Sequence, residues 1–551
     1  MTLDKRVIAW ILRAAIGGVV LAGTISSLPF RLDRITGAHA FCQIRNAEKQ
    51  SGRRTPSPGA SIARAGRLRL DLSPEKTDVI RGESIPFELT LTNLGNEPVT
   101  LEDESPSNRA FSIRVIGGSG FSESGDAMTV ARREGERVEP PRRPALRTLA
   151  PNERMVVRGD AIAWVGELEP GSYSIVGTYG ASPAFRAASR EAAIRVGEAA
   201  PVWARTAKQN LFLAHEPRDT AWLHRSTGGF ELFLMRSSPR NPQVIYSNRR
   251  LASLTTAAEP IPSSYNTAPP RIQHVVWTQP DGSLRIIRLP SNAPPEGPYA
   301  VPLPGKDLKP VETPFSDEEG TLHIVLADPG GRAAGLFQIP EKEAPAYHAF
   351  GLTSPIGSPR SVHWYKDGVL VFAWASPDAR EVLALTSQLK PVPRATAPRR
   401  VFSADQPIID LSLTQRYDLA KEKYDRLLIA LCREGTRERL LVKRMDVGAG
   451  RVELEQQIDV PGAGALAFLH SVLKDDLTPV YLFSLPDGSL TVASPGLSGS
   501  RPLLDSAGKP IGKESFPALV IPTGFSRMPG IYLRYIEAGR RFSYVKVGSY
   551  P

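Results

Sequence analysis

Eight histidines, His39, His215, His224, His274, His323, His348, His363 and His470, are the side chains of this 551-residue chain best suited to metal ligation or proton transfer. Two stand out by position. His274 and His323 each lie six residues before a proline, Pro280 and Pro329, inside similar apolar runs. Imidazoles at matching places on adjacent structural units, facing a central channel, would ligate a metal or share a proton. A repeated histidine also serves to satisfy a repeated structural hydrogen bond, and that reading is preferred, because no HExxH, His-x-His or EF-hand pattern accompanies the pair. No metal site and no cofactor are therefore expected, with His274 and His323 the only candidates for a metal.

Glycosidase chemistry would need two carboxyl groups held close together. Asp317, Asp367 and Glu434 are candidates by type, but all three sit beside expected turns and read as solvated turn residues. No Gly-x-Ser-x-Gly nucleophile elbow occurs, and no catalytic residue is assigned. The two cysteines, Cys42 and Cys432, provide neither a disulfide framework nor a thiolate cage.

The elements that would position any such residues are strands. After Pro201 one unit recurs: a β-run, a tight turn rich in Gly, Pro and Asp, and a second β-run. The units are TAWLHR-STGG-FELFLMR, HVVWTQ-PDG-SLRIIRL, TLHIVLA-DPGGR-AAGLFQI, VLVFAWA-SPDAR-EVLALTS, RLLIALC-REGTR-ERLLVKR, PVYLFSL-PDG-SLTVAS and IYLRYIE-AGR-RFSYVKV. Their turn markers, Gly228, Asp281, Pro329, Pro377, Glu434, Asp487 and Ala538, are separated by 53, 48, 48, 57, 53 and 51 residues. A four-stranded propeller blade occupies about 40 to 50 residues, so the spacing predicts a seven-bladed β-propeller over 201–551. The last blade is expected to close with a strand from the start of the domain, Asn210 to His215.

Ahead of it, Leu68, Leu70 and Leu72 alternate, as do Ile85, Phe87, Leu89 and Leu91, which is the period of strands with one buried face. Further strands are expected at Phe111 to Ile116, Arg154 to Val157, Tyr173 to Tyr179 and Ala192 to Val196, with no helical pattern of useful length between them. About seven short strands over 67–198 predict an immunoglobulin-like β-sandwich. The fold class is all-β.

The runs RGESIPFELTLTNLGNEPVTL, LAPNERMVV and LEPGSYSIVGTY resemble bacterial envelope sandwich domains and the bacterial proteinase-inhibitor-type sandwich. That resemblance implies that Leu168, Pro170, Gly171 and Tyr173 form the turn into a late strand, and it offers proteinase inhibition as one alternative function. The segments Asp317 to Val325 and Gln273 to Trp277 look like strand starts of sialidase-like repeat propellers. The sialidase Asp-box is missing, since Ser316-Asp317-Glu318-Glu319-Gly320 departs from its spacing, and no Trp-Asp dipeptide closes a unit.

At the N-terminus Lys5 and Arg6 precede an apolar stretch from Val7 to Phe30 that contains Arg13. Residues 1–30 are read as a signal peptide cleaved after Ala38-His39-Ala40, or as an uncleaved membrane anchor. Residues 31–66, with a basic excess from Gln43 to Gly66, form a flexible linker. Either reading places the rest outside the cytoplasm: periplasmic, on the cell surface or secreted. The net charge of +11 favours anionic partners, but no basic helix, zinc knuckle or RNA-binding aromatic signature points to nucleic acid. The expected function is that of an exported cell-envelope binding or scaffold protein whose propeller recognises a protein or polysaccharide. The alternatives are a propeller enzyme acting on glycans and the proteinase inhibitor.

Overall fold

Alternating apolar residues separate along the first strands as the pleat requires. A computed structural model describes residues between 68 and 548, with its longer breaks at 103–109, 127–145, 207–217, 238–244, 461–469, 494–501 and 521–530. The signal or anchor segment, the linker at 31–66, Cys42 and the closing strand expected at Asn210–His215 lie outside the described residues. Strands Leu68–Pro74, Pro86–Asn93 and Arg154–Asp160 form one antiparallel sheet. Strands Asp78–Ile80, Ala192–Gly197, Gly171–Ser182, Phe111–Gly117 and Ser122–Gly125 follow in that order across a second. Leu70, Leu89, Leu91 and Val157 from the first meet Phe111, Ile113, Val115, Ile175 and Ile194 from the second in one core. Each such fully buried side chain contributes about 1.5 to 3 kcal/mol.

One helical turn, Ala161–Val165, interrupts what the sequence reads as pure strand. Asp160 caps it, accepting from the Ile162 and Ile85 amides through Oδ1 at 3.0 and 2.9 Å. Its reason for forming is tertiary: Trp164 packs edge-on against Phe87 with ring centroids 5.0 Å apart. Five residues are too few to register as a helical period.

All seven expected hairpins are present among the described residues. Their strand pairs are Arg218–Ser226 with Gly229–Ser237, Ile272–Thr278 with Ser283–Pro290, Leu322–Ala327 with Ala334–Ile339 and Val369–Ala375 with Glu381–Gln388. Then come Lys423–Glu434 with Arg437–Asp446, Pro479–Ser484 with Leu490–Ala493 and Ile531–Glu537 with Arg541–Gly548. Each lies in its own sheet, numbered here one to seven in chain order, and the pairings are antiparallel apart from the short parallel pair Ser264–Tyr265 with Phe315–Ser316 in sheet three. The two Pro-Asp-Gly-Ser turns are built alike: Asp281 Oδ1 accepts from the Ser283 amide and hydroxyl at 2.8 and 2.6 Å, and Asp487 Oδ1 from those of Ser489 at 2.9 and 2.6 Å.

The sheets are buried on both sides. Strand Leu322–Ala327 is buried at every residue, and its neighbours divide between two cores. Ile324 and Leu326 meet Val276 and Leu284 of sheet two, while Val325 and Ala327 meet Val362, Phe372 and Trp374 of sheet four. Sheets one and two share a core around Leu223, Leu232, Val275 and Trp277. Sheets four and five share one around Val371, Ala373, Leu411 and Cys432, and six and seven one around Leu482, Val492, Leu533 and Tyr535. The last sheet returns to the first, where the Arg534 guanidinium of sheet seven donates to Thr220 Oγ1 of sheet one. Successive sheets packed face to face, with the last touching the first, make a propeller architecture. Strand Pro201–Thr206 pairs with Arg218–Ser226 and so belongs to sheet one.

The seam between sheets three and four supplies a stability test. Gly331 turns at φ +67°, and a Cβ there would lie 1.9 Å from the Ile356 carbonyl oxygen. Gly331→Ala is expected to lose about 2 to 4 kcal/mol in urea denaturation, whereas Gly351→Ala, which enters open space, should stay within about 0.5 kcal/mol.

Candidate functional site

The residues most suited to chemistry converge on the seam between sheets two and three. His274, buried near the start of its strand, brings Nδ1 within 2.8 Å of Ser316 Oγ. Ser316 Oγ is in turn 2.9 Å from Ser263 Oγ, which accepts from the His274 amide at 2.9 Å. The two hydroxyls and the imidazole so form one continuous hydrogen-bonded chain. Burial, reinforced by the charge on Arg288, pushes the His274 imidazolium down to about 3.

The next residue after Ser316 holds the other histidine. Asp317 Oδ1 accepts from the Glu319 and Thr321 amides at 3.0 and 2.9 Å, and Oδ2 lies 3.0 Å from His323 Nε2. Gln338 Nε2 stands 3.2 Å from His323 Nδ1. Both ring nitrogens of His323 are thus engaged, Nε2 with the Asp317 carboxylate and Nδ1 with the Gln338 amide group. Lys390 Nζ bridges outward, 3.5 Å from Asp317 Oδ2 and 2.7 Å from Glu319 Oε1. Burial pushes the Asp317 carboxyl up, but the His323 hydrogen bond and the attraction of His323 and Lys390 outweigh it and hold the group below its usual range.

His274 and His323 are bonded to adjacent residues, Ser316 and Asp317, inside the seam. Asp317 is a turn residue, as expected, but a buried one rather than a solvated one. Asp367 lies outside the described residues, as does the side chain of Glu434. Ser316 is fully buried, so its hydroxyl offers no nucleophile to a substrate. Among the described residues no group of three or more His, Cys, Asp and Glu side chains is placed to hold a metal ion.

A second polar cluster, not foreseen, lies where sheets seven, one and two meet. Arg236 Nε and Nη2 donate to Asp219 Oδ1 and Oδ2, both at 3.0 Å, and Nη2 also reaches Gln273 Oε1 at 3.1 Å. Asp219 is only 1 % exposed, and burial raises its carboxyl against the pull of Arg236. The signal was present in the sequence. Once the turn at 227–228 is placed, Asp219 and Arg236 fall directly opposite each other on the hairpin.

A third cluster fastens the N-terminal sheets to sheet one. Glu83, wholly buried, accepts from Arg250 Nε and Nη2 at 3.2 and 2.8 Å, from Lys76 Nζ at 3.1 Å and from the Ile80 amide at 3.0 Å. Beside it the Ser84 amide donates to the Asn248 carbonyl and the Asn248 amide to Ser84 Oγ, both at 2.8 Å. Trp222 Nε1 closes the group, donating to Asn248 Oδ1 at 2.9 Å. Nothing in the sequence pairs Arg81-Gly82-Glu83-Ser84 with a strand some 165 residues on.

Comparison with protein-family models finds no match, and none is found among curated proteins. Among solved structures the chain is similar to the BP39L lectin from Burkholderia pseudomallei, at 14% identity and a TM-score of 0.38, over 62% of this chain and 92% of that one. It is similar to the Hadza microbial sialidase Hz136 at 12% identity and a TM-score of 0.36, over 75% and 96%. The Aleuria aurantia lectin, a six-bladed β-propeller, aligns at 10% identity and a TM-score of 0.33, over 56% and 96%.

The depressed His274 sets a pH dependence. Its imidazole is neutral in the fold down to about 3, whereas the unfolded chain protonates it near 6.5. The stability it contributes is complete above pH 6.5 and is lost as the pH falls toward 3. In urea denaturation the wild type should lose about 1.4 kcal/mol per pH unit more than His274→Gln between pH 6 and 4. Parallel curves would show that the ring is not buried in its neutral form.

Proposed function

We propose that this chain is an exported binding protein of the cell envelope, in which an immunoglobulin-like sandwich over 67–198 carries a seven-bladed propeller over 201–551 that recognises a protein or polysaccharide partner. The observation that carries this reading is the use made of the reactive side chains. His274, His323, Asp317 and Asp219 are spent on one another and on Ser316, Gln338 and Arg236, inside the seams between sheets. They stiffen the frame and leave recognition to the surface. Polar networks satisfied in this way rigidify a core, and a rigid frame lowers the entropy cost of binding.

The seven hairpins at near-constant spacing support the blade number, and the two sheets around Leu89, Ile113 and Ile175 support the sandwich. The charge of +11 fits an anionic ligand such as an acidic glycan. Export rests on the apolar segment behind Lys5 and Arg6.

The full chain, presented to immobilised envelope polysaccharides and envelope proteins, is expected to bind one class saturably, more weakly as salt rises. Release of shortened sugars from a bound polysaccharide would replace this reading with glycan hydrolysis. For export, sequencing the N-terminus of the chain recovered from an envelope fraction should give Phe41 if a signal is cleaved, or Met1 or Thr2 if the anchor is kept. Recovery of the chain solely from the cytoplasm would overturn export.

A further inference from the structure

Sheet one has two apolar faces, and only one meets sheet two. Ala221, Leu223, Leu232 and Leu234 make that contact. The cross-strand rows Thr220–Met235–Asn248 and Trp222–Phe233–Arg250 lie on the opposite face. In a ring of stacked sheets that second face belongs to the last sheet, and the last sheet does reach it, through Arg534 on Thr220.

The rest of the face is covered from elsewhere. Ile80 joins Trp222, Phe233 and Met235 in one buried cluster with Ala199 and Ala204 packed against it. The indole of Trp222 stacks on the Phe233 ring at 4.6 Å, and the Arg250 guanidinium lies over that ring at 5.5 Å while it grips Glu83. His224, further along the same strand, accepts the Ala200 amide at 2.9 Å on Nδ1, so the segment leaving the N-terminal sheets is pinned there too. Sheet one thus meets sheet seven and the N-terminal domain on a single face.

We propose that the loop Ile80 to Ser84 is the clasp of the propeller ring: it completes the seam between the first and last sheets. Here sheet one keeps its own four strands, Pro201–Thr206 included. Among the described residues the contact from sheet seven runs through Arg534, and the clasp covers the apolar rows beside it. A bound charge as deep as Glu83 is costly to bury unless it is fully paired, and its donors come from both sides of the junction: Lys76 and the Ile80 amide on one, Arg250 on the other. Undocking would break both Arg250 hydrogen bonds to Glu83 and uncover the apolar face that Arg534 also reaches, so the clasp and the seam open together.

The test is native-state hydrogen exchange on the full chain. Glu83→Ala should accelerate exchange by about tenfold or more in Arg218–Ser226 and, across the seam, in Ile531–Glu537, with Leu322–Ala327 and Val369–Ala375 as in the wild type. Coupling is reciprocal, so Arg534→Met should loosen Asp78–Ile80. If Glu83→Ala does not fold, Ser84→Ala, which removes one hydroxyl acceptor of the Asn248 amide, should show the same pattern more weakly. Acceleration that stops at sheet one and leaves 531–537 unchanged would overturn the proposal, as would loss of protection spread evenly over all seven sheets.

Discussion

A β-sheet apolar on both faces cannot satisfy itself, and this constraint governs the molecule from residue 201 onward. In Val369–Ala375 every residue after the first is buried, so two neighbours must supply two cores. They do: Leu370, Phe372 and Trp374 point toward sheet three, and Val371 and Ala373 toward sheet five. The same division recurs at sheets two and three. A linear stack would leave its end faces open. Return of the last sheet to the first is the way such a stack ends without an exposed apolar face.

Polar residues in the seams obey that constraint rather than escape it. A hydroxyl, imidazole or carboxylate placed between two packed sheets loses water and must find partners in the protein. Ser263, Ser316 and His274 do so with one another, and Asp317 and His323 do so with Gln338 and two backbone amides. Each arrangement also selects a register, because a shift of one residue would carry the polar set to the other face.

The junction with the N-terminal domain applies the same rule to charge. Glu83 is wholly buried, and four hydrogen bonds reach it from Lys76, Ile80 and Arg250. Because Arg250 also bonds Glu231 and lies over Phe233, the guanidinium links the loop to the apolar face of sheet one as well as to its charge.

Strand positions, hairpin turns and their recurrence were legible in the residues because they are local. Alternation of Leu68, Leu70 and Leu72, the Pro-Asp-Gly-Ser turns and the near-constant spacing each follow from backbone geometry within a few residues. The pairing of Asp219 with Arg236 was also within reach, since a hairpin register follows from its turn. The helical turn at Ala161–Val165 was not, because Trp164 forms it by packing on Phe87, a residue far away in sequence. Nor did residue type decide whether His274 and His323 would meet as ligands. Ser316 meets Nδ1 of His274, and Asp317 and Gln338 meet the two ring nitrogens of His323, only once the sheets are packed, and Glu83 found Arg250 only across the folded junction. Sequence by itself determined the sheets, whose hydrogen bonds and alternation are short-range. Tertiary structure alone decided which faces and buried polar groups would meet, because desolvation and pairing depend on neighbours that the chain brings together only on folding.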